Sequence, residues 1–282
     1  MQFGKMRRGS HDTVVMVDRG LAVPLDMARN PAVKTLADLL NTPDPVKTAA
    51  DLTDMMATAD RLDGVVFRAP IDKQEVWAAG VTYKRSKIAR EEESVGAAQF
   101  YDKVYTAPRP ELFLKATPDR VVGPGDPIRV RRDSNWSVPE PELTLVVSSD
   151  LRIVGYTIGN DVSSRDIEGE NPLYLPQAKI YTGSCALGPV IAPTLASWAD
   201  TTIRLTIRRG TAIAFEGTTT LAAMARTPED LVNWLGREND FPHGVLLLTG
   251  TGIVPPDAFT LTSGDEVEIR IDGIGSLVNP VA

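Results

Sequence analysis

Cysteine and histidine are the scarcest chemically useful residues here: one cysteine, Cys185, and two histidines, His11 and His243, in 282 residues. A single cysteine closes no internal disulfide, which fits a reducing compartment. Two histidines exclude a zinc site built from several imidazoles and leave little room for a serine–histidine–aspartate triad. Long apolar runs are also missing. No stretch approaches the roughly 20 apolar residues that span a bilayer. Residues 1–20 carry Lys5, Arg7, Arg8, Asp12 and Asp18 where a signal peptide has an apolar core. The expectation is a soluble, cytoplasmic protein with no membrane partner. Basic clusters are equally sparse: beyond the pairs Arg131/Arg132 and Arg208/Arg209 none occurs, and the net charge is −7. A nucleic-acid partner is therefore disfavoured.

What is present is enough for a packed core without staples. Hydrophobic residues make up 43% of the chain and charged residues 24%, with no tract of disordered composition. The first 75 residues differ from the rest. Residues 13–17 and 20–23 predict short strands around a turn at Asp18, Arg19 and Gly20. Two helical patterns follow, with Ala32, Leu36, Leu39 and Leu40 on one face and Ala49, Leu52, Met56 and Ala59 on another. Residues 68–73, containing Pro70, form the candidate connector. The expected organisation is a small N-terminal α/β domain over 1–74 and a larger domain over 75–282.

The larger domain is strand-rich. Ile203, Leu205 and Ile207 alternate with polar residues, as do Val267, Ile269 and Ile271, while 153–158 and 245–248 read as deeply buried. One helix is signposted by Thr227 as N-cap, Pro228 at N1 and Asp230 closing a capping box. The class is α+β and β-rich, without alternating βαβ units.

Three acids carry the chemistry. In the segment Glu140-Pro-Glu142 a strand puts both glutamates on one face. Pro139 and Pro141 place that strand's start at an edge or beside a cavity, because proline donates nothing to the ladder. Two adjacent carboxylates repel unless a cation or a shared proton compensates them. Taken alone, the pair fits a solvated strand edge far better than a cation site, and a third acid is needed to change that. Asp161 ends an apolar strand, where both a structural cap and a ligand are reasonable. Three carboxylates without histidine suit a hard ion, Mg²⁺ or in its place Mn²⁺ or Ca²⁺.

Seven blocks in order resemble the fumarylacetoacetate hydrolase superfamily from Val76 onward. They are Ala79-Gly-Val-Thr-Tyr83, Glu140-Pro-Glu142, Asn160-Asp-Val-Ser-Ser-Arg165, Lys179 with Leu187-Gly-Pro189, Leu248-Thr-Gly-Thr-Gly252, Ser263-Gly-Asp265 and Gly273-Ile-Gly-Ser-Leu277. The resemblance implies a mixed β-roll catalytic domain, commonly a homodimer or dimer of dimers, with Mg²⁺ on Glu140, Glu142 and Asp161. It departs from the hydrolytic pattern, Gly-x-Asn-Tyr-x-x-His-x-x-Glu, at two places: Ser86 stands where the histidine belongs and Ala89 where the glutamate would be. Serine has no group titrating near neutral pH, so it does not replace imidazole as general base. His11 lies in the small domain and His243 in a turn.

The run from Val81 to Ser86 and the run Arg109-Pro-Glu-Leu-Phe-Leu-Lys115 are similar to the dehydratase branch, which acts on 2-keto-3-deoxy sugar acids. The expected activity is that of a Mg²⁺-dependent lyase, a dehydratase of a pentonate-type substrate. A hydrolase or decarboxylase of acylpyruvate-like diketo acids is the alternative on the same scaffold, and a non-catalytic 2-keto acid binding module is the third reading. Glu111, beside apolar Leu112 and Phe113, is the expected acid–base group, provided burial raises its pKa. Lys179 is the expected partner of the substrate carboxylate or of the metal's surroundings. Arg85, Ser86 and Thr251 are expected substrate contacts, and Arg165 and Asp166 are expected to orient the site. The loop at Gly250 and Gly252 is no dinucleotide fingerprint, since Pro255 follows where a third glycine is required. Glu91, Glu92 and Glu93 read as a solvated helix face, and Cys185 as a small buried residue.

Overall fold

The fold, taken from a computed structural model, is described for residues 1–53, 58–83 and 104–282. The N-terminal hairpin forms as the sequence predicts: strands His11–Asp18 and Leu21–Pro24 are joined through Arg19 and Gly20. Their φ values of 48° and 80° are both positive, which the tight two-residue hairpin turn requires. Helix Leu36–Leu40 starts at a reciprocal capping box between Thr35 and Asp38. That cap leaves Ala32 in the preceding turn, outside the helix in which the pattern placed it. Asp44 caps Pro45–Leu52. This helix stops short of the expected face, because Thr53 turns to extended backbone and Ala59 leads into strand Asp60–Arg61. Met56 lies outside the described residues.

Among the described residues, twelve strands form one sheet whose main path runs, in order, Asp60–Arg61, Leu21–Pro24, His11–Asp18, Gln2–Arg8, Cys185–Ala192, Ile153–Asp161, Pro141–Val147, Val245–Leu248, Glu75–Gly80 and Glu111–Ala116. The N-terminal strands thus continue the sheet of the larger part, with Phe3 opposite Ile191 and Gly4 opposite Val190. A separate four-stranded sheet runs Ala212–Thr220, Thr202–Arg209, Asp265–Ile271 and Gly275–Pro280. The architecture is α+β and strand-rich.

Side-chain alternation along the central strands divides the core in two. Leu143, Leu145 and Val147 pack with Ile203, Leu205, Ile269 and Leu277 of the four-stranded sheet. Val146, Leu246 and Leu248 point the other way, to Leu36, Leu39, Ala49 and Leu52 of the N-terminal helices. The central strands are therefore apolar on both faces, and their ends are the natural place for polar chemistry. Helix Pro228–Leu235 packs Leu231, Val232 and Leu235 into the first of these clusters. Its Thr227 cap accepts from the Asp230 N–H as expected. The Asp230 carboxylate, expected to complete the box, pairs with Arg226 at 3.1 Å.

Candidate metal centre

Strand Pro141–Val147 pairs with Ile153–Asp161 from its first residue, Pro141 opposite Asn160. On its other side the ladder with Val245–Leu248 begins only at Thr144. The strand start is therefore interior to the sheet, not at an edge, and its unpaired side opens on a cavity. Proline costs no ladder bond there. The Asp161 N–H bonds the Glu140 carbonyl at 3.0 Å, which brings the two acidic segments together. One oxygen each of Glu140, Glu142 and Asp161 lies within 4.8 Å of the others. All three residues are at least 95% buried, so water does not screen their repulsion.

Cations enclose this cluster. The Lys179 ammonium, at the end of helix Leu175–Lys179, donates to Glu140 Oε2 at 2.9 Å, Asp161 Oδ2 at 3.2 Å and Ser163 Oγ at 2.6 Å. Arg165 Nη2 meets Glu140 Oε1 at 2.7 Å. Lys115 Nζ pairs with Asp161 Oδ1 at 2.5 Å. Glu142 accepts the Gly250 N–H at 2.6 Å. Gly250 has φ 88°, and a Cβ there would lie 2.0 Å from Thr82 Oγ1, so only glycine allows this approach.

Burial, with Asp161 and Glu140 alongside, holds the Glu142 carboxyl well above the usual carboxylate range. Burial and the Glu142 charge likewise push Tyr83 up. A divalent cation would remove the reason for protonating Glu142. The cavity lined by Gly80, Phe113, Glu140, Glu142, Asp161 and Lys179, among others, measures about 20 Å³. That is close to the roughly 10–15 Å³ that holds one water-sized body. An all-carboxylate donor set of this size fits Mg²⁺.

Strand Glu111–Ala116 adds a second row. Period two puts Glu111, Phe113 and Lys115 on one face. Phe113 lines the metal cavity and its ring lies 5.6 Å from Lys179 Nζ. Half-buried Glu111 borders a neighbouring cavity of about 280 Å³, together with Val104, Arg109, Glu168 and Leu175.

Thr251 lines the metal cavity, and its hydroxyl engages the Ile253 backbone, accepting from N and donating to O, both at 3.2 Å. Asp166 lies further out and fixes the turn before Ser137, accepting from Ser134 Oγ at 2.6 Å and Asn135 N at 2.7 Å. Arg85, Ser86 and the glutamates at 91–93 lie outside the described residues. Burial pushes the Cys185 thiol up to about 12, as befits an unreactive core residue. Two residues escaped sequence reasoning. Period two from Glu111 puts Lys115 on the same strand face, but only its contact with Asp161 marks it as part of the site. Glu168, 4% exposed and 3.8 Å from Arg165 Nη1, was findable three residues on along a helix.

Comparison with known proteins gives concordant results. The family model described as "Fumarylacetoacetate (FAA) hydrolase C-terminal" matches residues 75–282. A probable 2-keto-3-deoxyxylonate dehydratase of Haloferax volcanii is 46% identical over 259 residues, 88% of each chain. A 2-dehydro-3-deoxy-D-arabinonate dehydratase of Saccharolobus solfataricus is 39% identical over 284 residues, covering 99% of this chain and 95% of that one. A solved 2-keto-3-deoxy-D-arabinonate dehydratase complexed with magnesium and 2,5-dioxopentanoate superposes with a TM-score of 0.83 at 35% identity. That match covers 100% of this chain and 98% of the other.

Proposed function

The chain belongs to the fumarylacetoacetate hydrolase family, and on that premise we propose that it is a Mg²⁺-dependent dehydratase of 2-keto-3-deoxy pentonates. The observation that carries this reading is the buried cluster of Glu140, Glu142 and Asp161 with Lys179 between two of them. It occurs in a chain 39% and 46% identical to two dehydratases of such acids.

Glu140, Glu142 and Asp161 would hold the ion. When bound, it supplies Lewis-acid polarisation of the 2-keto group, which acidifies C3. Lys179, which lines the cavity, sets a fixed positive charge beside the carboxylates and attracts the substrate carboxylate. Glu111 takes the C3 proton and, as the acid so formed, passes a proton to the C4 hydroxyl, which leaves as water. Migration of the new double bond toward C5 and ketonisation then give a semialdehyde with the carbon chain whole. Thr251, Arg85 and Ser86 contact the substrate, and Arg165 and Asp166 hold the framework around it.

The same reading keeps an N-terminal unit of 1–74 beside a catalytic unit of 75–282, working in the cytoplasm as a homodimer or dimer of dimers. The buried thiol of Cys185 supports the compartment. Among the described residues no helix is long and apolar enough to cross a membrane. Semialdehyde formation from a 2-keto-3-deoxy pentonate, present with Mg²⁺ and abolished by a chelator, tests the assignment. Equal turnover with and without the chelator would reject it.

A further inference from the structure

Lys115 is the second buried lysine of the site, 0% exposed, and the proposed reaction gives it no task. Besides its ion pair with Asp161 Oδ1 at 2.5 Å, it donates to the Val162 carbonyl at 2.9 Å and the Lys179 carbonyl at 2.6 Å. Its ammonium is thus anchored to backbone on both sides: at the residue after Asp161, and at the end of the helix that delivers Lys179. The other Asp161 oxygen, Oδ2, faces Lys179 at 3.2 Å, the longest of the three contacts Lys179 makes with Glu140, Asp161 and Ser163. Oδ1 thus has the shorter charge contact, an ion pair without hydrogen-bond alignment, and Oδ2 the longer, hydrogen-bonded one.

We infer that Lys115 is a positioning residue that fixes the denticity of Asp161: it keeps Oδ1 and leaves Oδ2 as the single oxygen offered to the cation, favouring Mg²⁺ over Ca²⁺. The inference rests on the metal centre proposed above. Glu140 and Glu142 are oriented in a related way, Glu140 by Arg165 and Lys179 and Glu142 by the Gly250 N–H. Mg²⁺ takes single oxygens in a tight octahedron at roughly 2.0–2.1 Å. Ca²⁺ accepts more ligands, at roughly 2.3–2.6 Å, and readily takes both oxygens of a carboxylate. A site in which Asp161 has only one oxygen to give suits the smaller ion.

Charge alone does not produce this preference. The Lys115 ammonium repels both ions alike, since both are divalent, so removing it strengthens binding of each by a common factor. Only geometry changes their ratio. Calorimetric titration of the wild-type protein and Lys115→Met with MgCl₂ and with CaCl₂, without substrate, reads that ratio directly. The expected result is a shift of relative affinity toward Ca²⁺ of about tenfold or more in Lys115→Met, with Lys115→Arg, which keeps a cation, lying nearer the wild type. A common change in both affinities at constant ratio would overturn the inference. Wild-type protein that binds neither ion would instead remove the metal centre itself. A crystal structure of the Mg²⁺-loaded wild type serves if the variants do not fold. Asp161 should then bind the ion through Oδ2 alone, with Oδ1 still on Lys115; chelation through both oxygens would contradict the assignment.

Discussion

The Glu111 carboxylate lies folded over the bare Cα of Gly80, its partner in the antiparallel ladder: a methyl group built on Gly80 would sit 2.0 Å from Glu111 Oε2. Gly80 itself lines the metal cavity, while Glu111 borders the larger cavity beside it. The missing side chain at position 80 is what lets the proposed acid–base group rest between the two.

Gly80→Ala should therefore move the carboxylate and spare the fold, because the atom that must yield is the far end of a flexible side chain. A displacement of about 1 Å at a reacting group costs about 10²-fold in rate. The expected outcome is a kcat loss of that order, with Mg²⁺ affinity unchanged by calorimetry. Glu111→Gln should lose about 10²–10⁴-fold, again with the metal retained. Unchanged kcat in both variants would remove Glu111 from the chemistry.

Glu142 links metal, proton and stability. Its folded-state pKa is raised by burial and by Asp161 and Glu140. With the metal chelated, its contribution to stability is present below the unfolded value, near 4.5, and is lost as pH rises through the folded one. The melting temperature of wild type relative to Glu142→Gln should thus fall with rising pH in the presence of a chelator. Added Mg²⁺ should reverse that fall in the wild type only, and Glu142→Gln should remain folded without binding the ion. Identical pH profiles for the two proteins would contradict the assignment.

Lys179 compensates Glu140 and Asp161 where water does not reach. Removing one partner of a buried ion pair costs about 3–5 kcal/mol, since the charges left behind are unsolvated. Lys179→Met should lose stability of that order by chemical denaturation and should lose activity even where it remains folded. A loss below about 1 kcal/mol, the range of exposed pairs, would show that the carboxylates are compensated otherwise.

Much of this was legible in the sequence because it rests on local rules. Period two placed Glu140 and Glu142 together, the end of an apolar strand exposed Asp161, and Thr227 with Pro228 announced a helix. What escaped depends on distant contacts. Lys115 reads as an ordinary lysine until the strand that carries it is set against the end of the Asp161 strand. The prolines marked a cavity, but nothing local told a sheet edge from a sheet interior. The continuity of the N-terminal strands with the rest follows from Phe3 meeting Ile191, a pairing that only the assembled sheet reveals.

Product analysis decides whether this site removes water and leaves the carbon chain whole. The protein is incubated with Mg²⁺ and a 2-keto-3-deoxy pentonate, in parallel with an acylpyruvate, and the products are read by mass and carbon NMR. A single five-carbon semialdehyde, lighter than the substrate by one water, and an intact acylpyruvate are expected. Cleavage of the acylpyruvate into two fragments, with the pentonate untouched, would contradict the proposed dehydration.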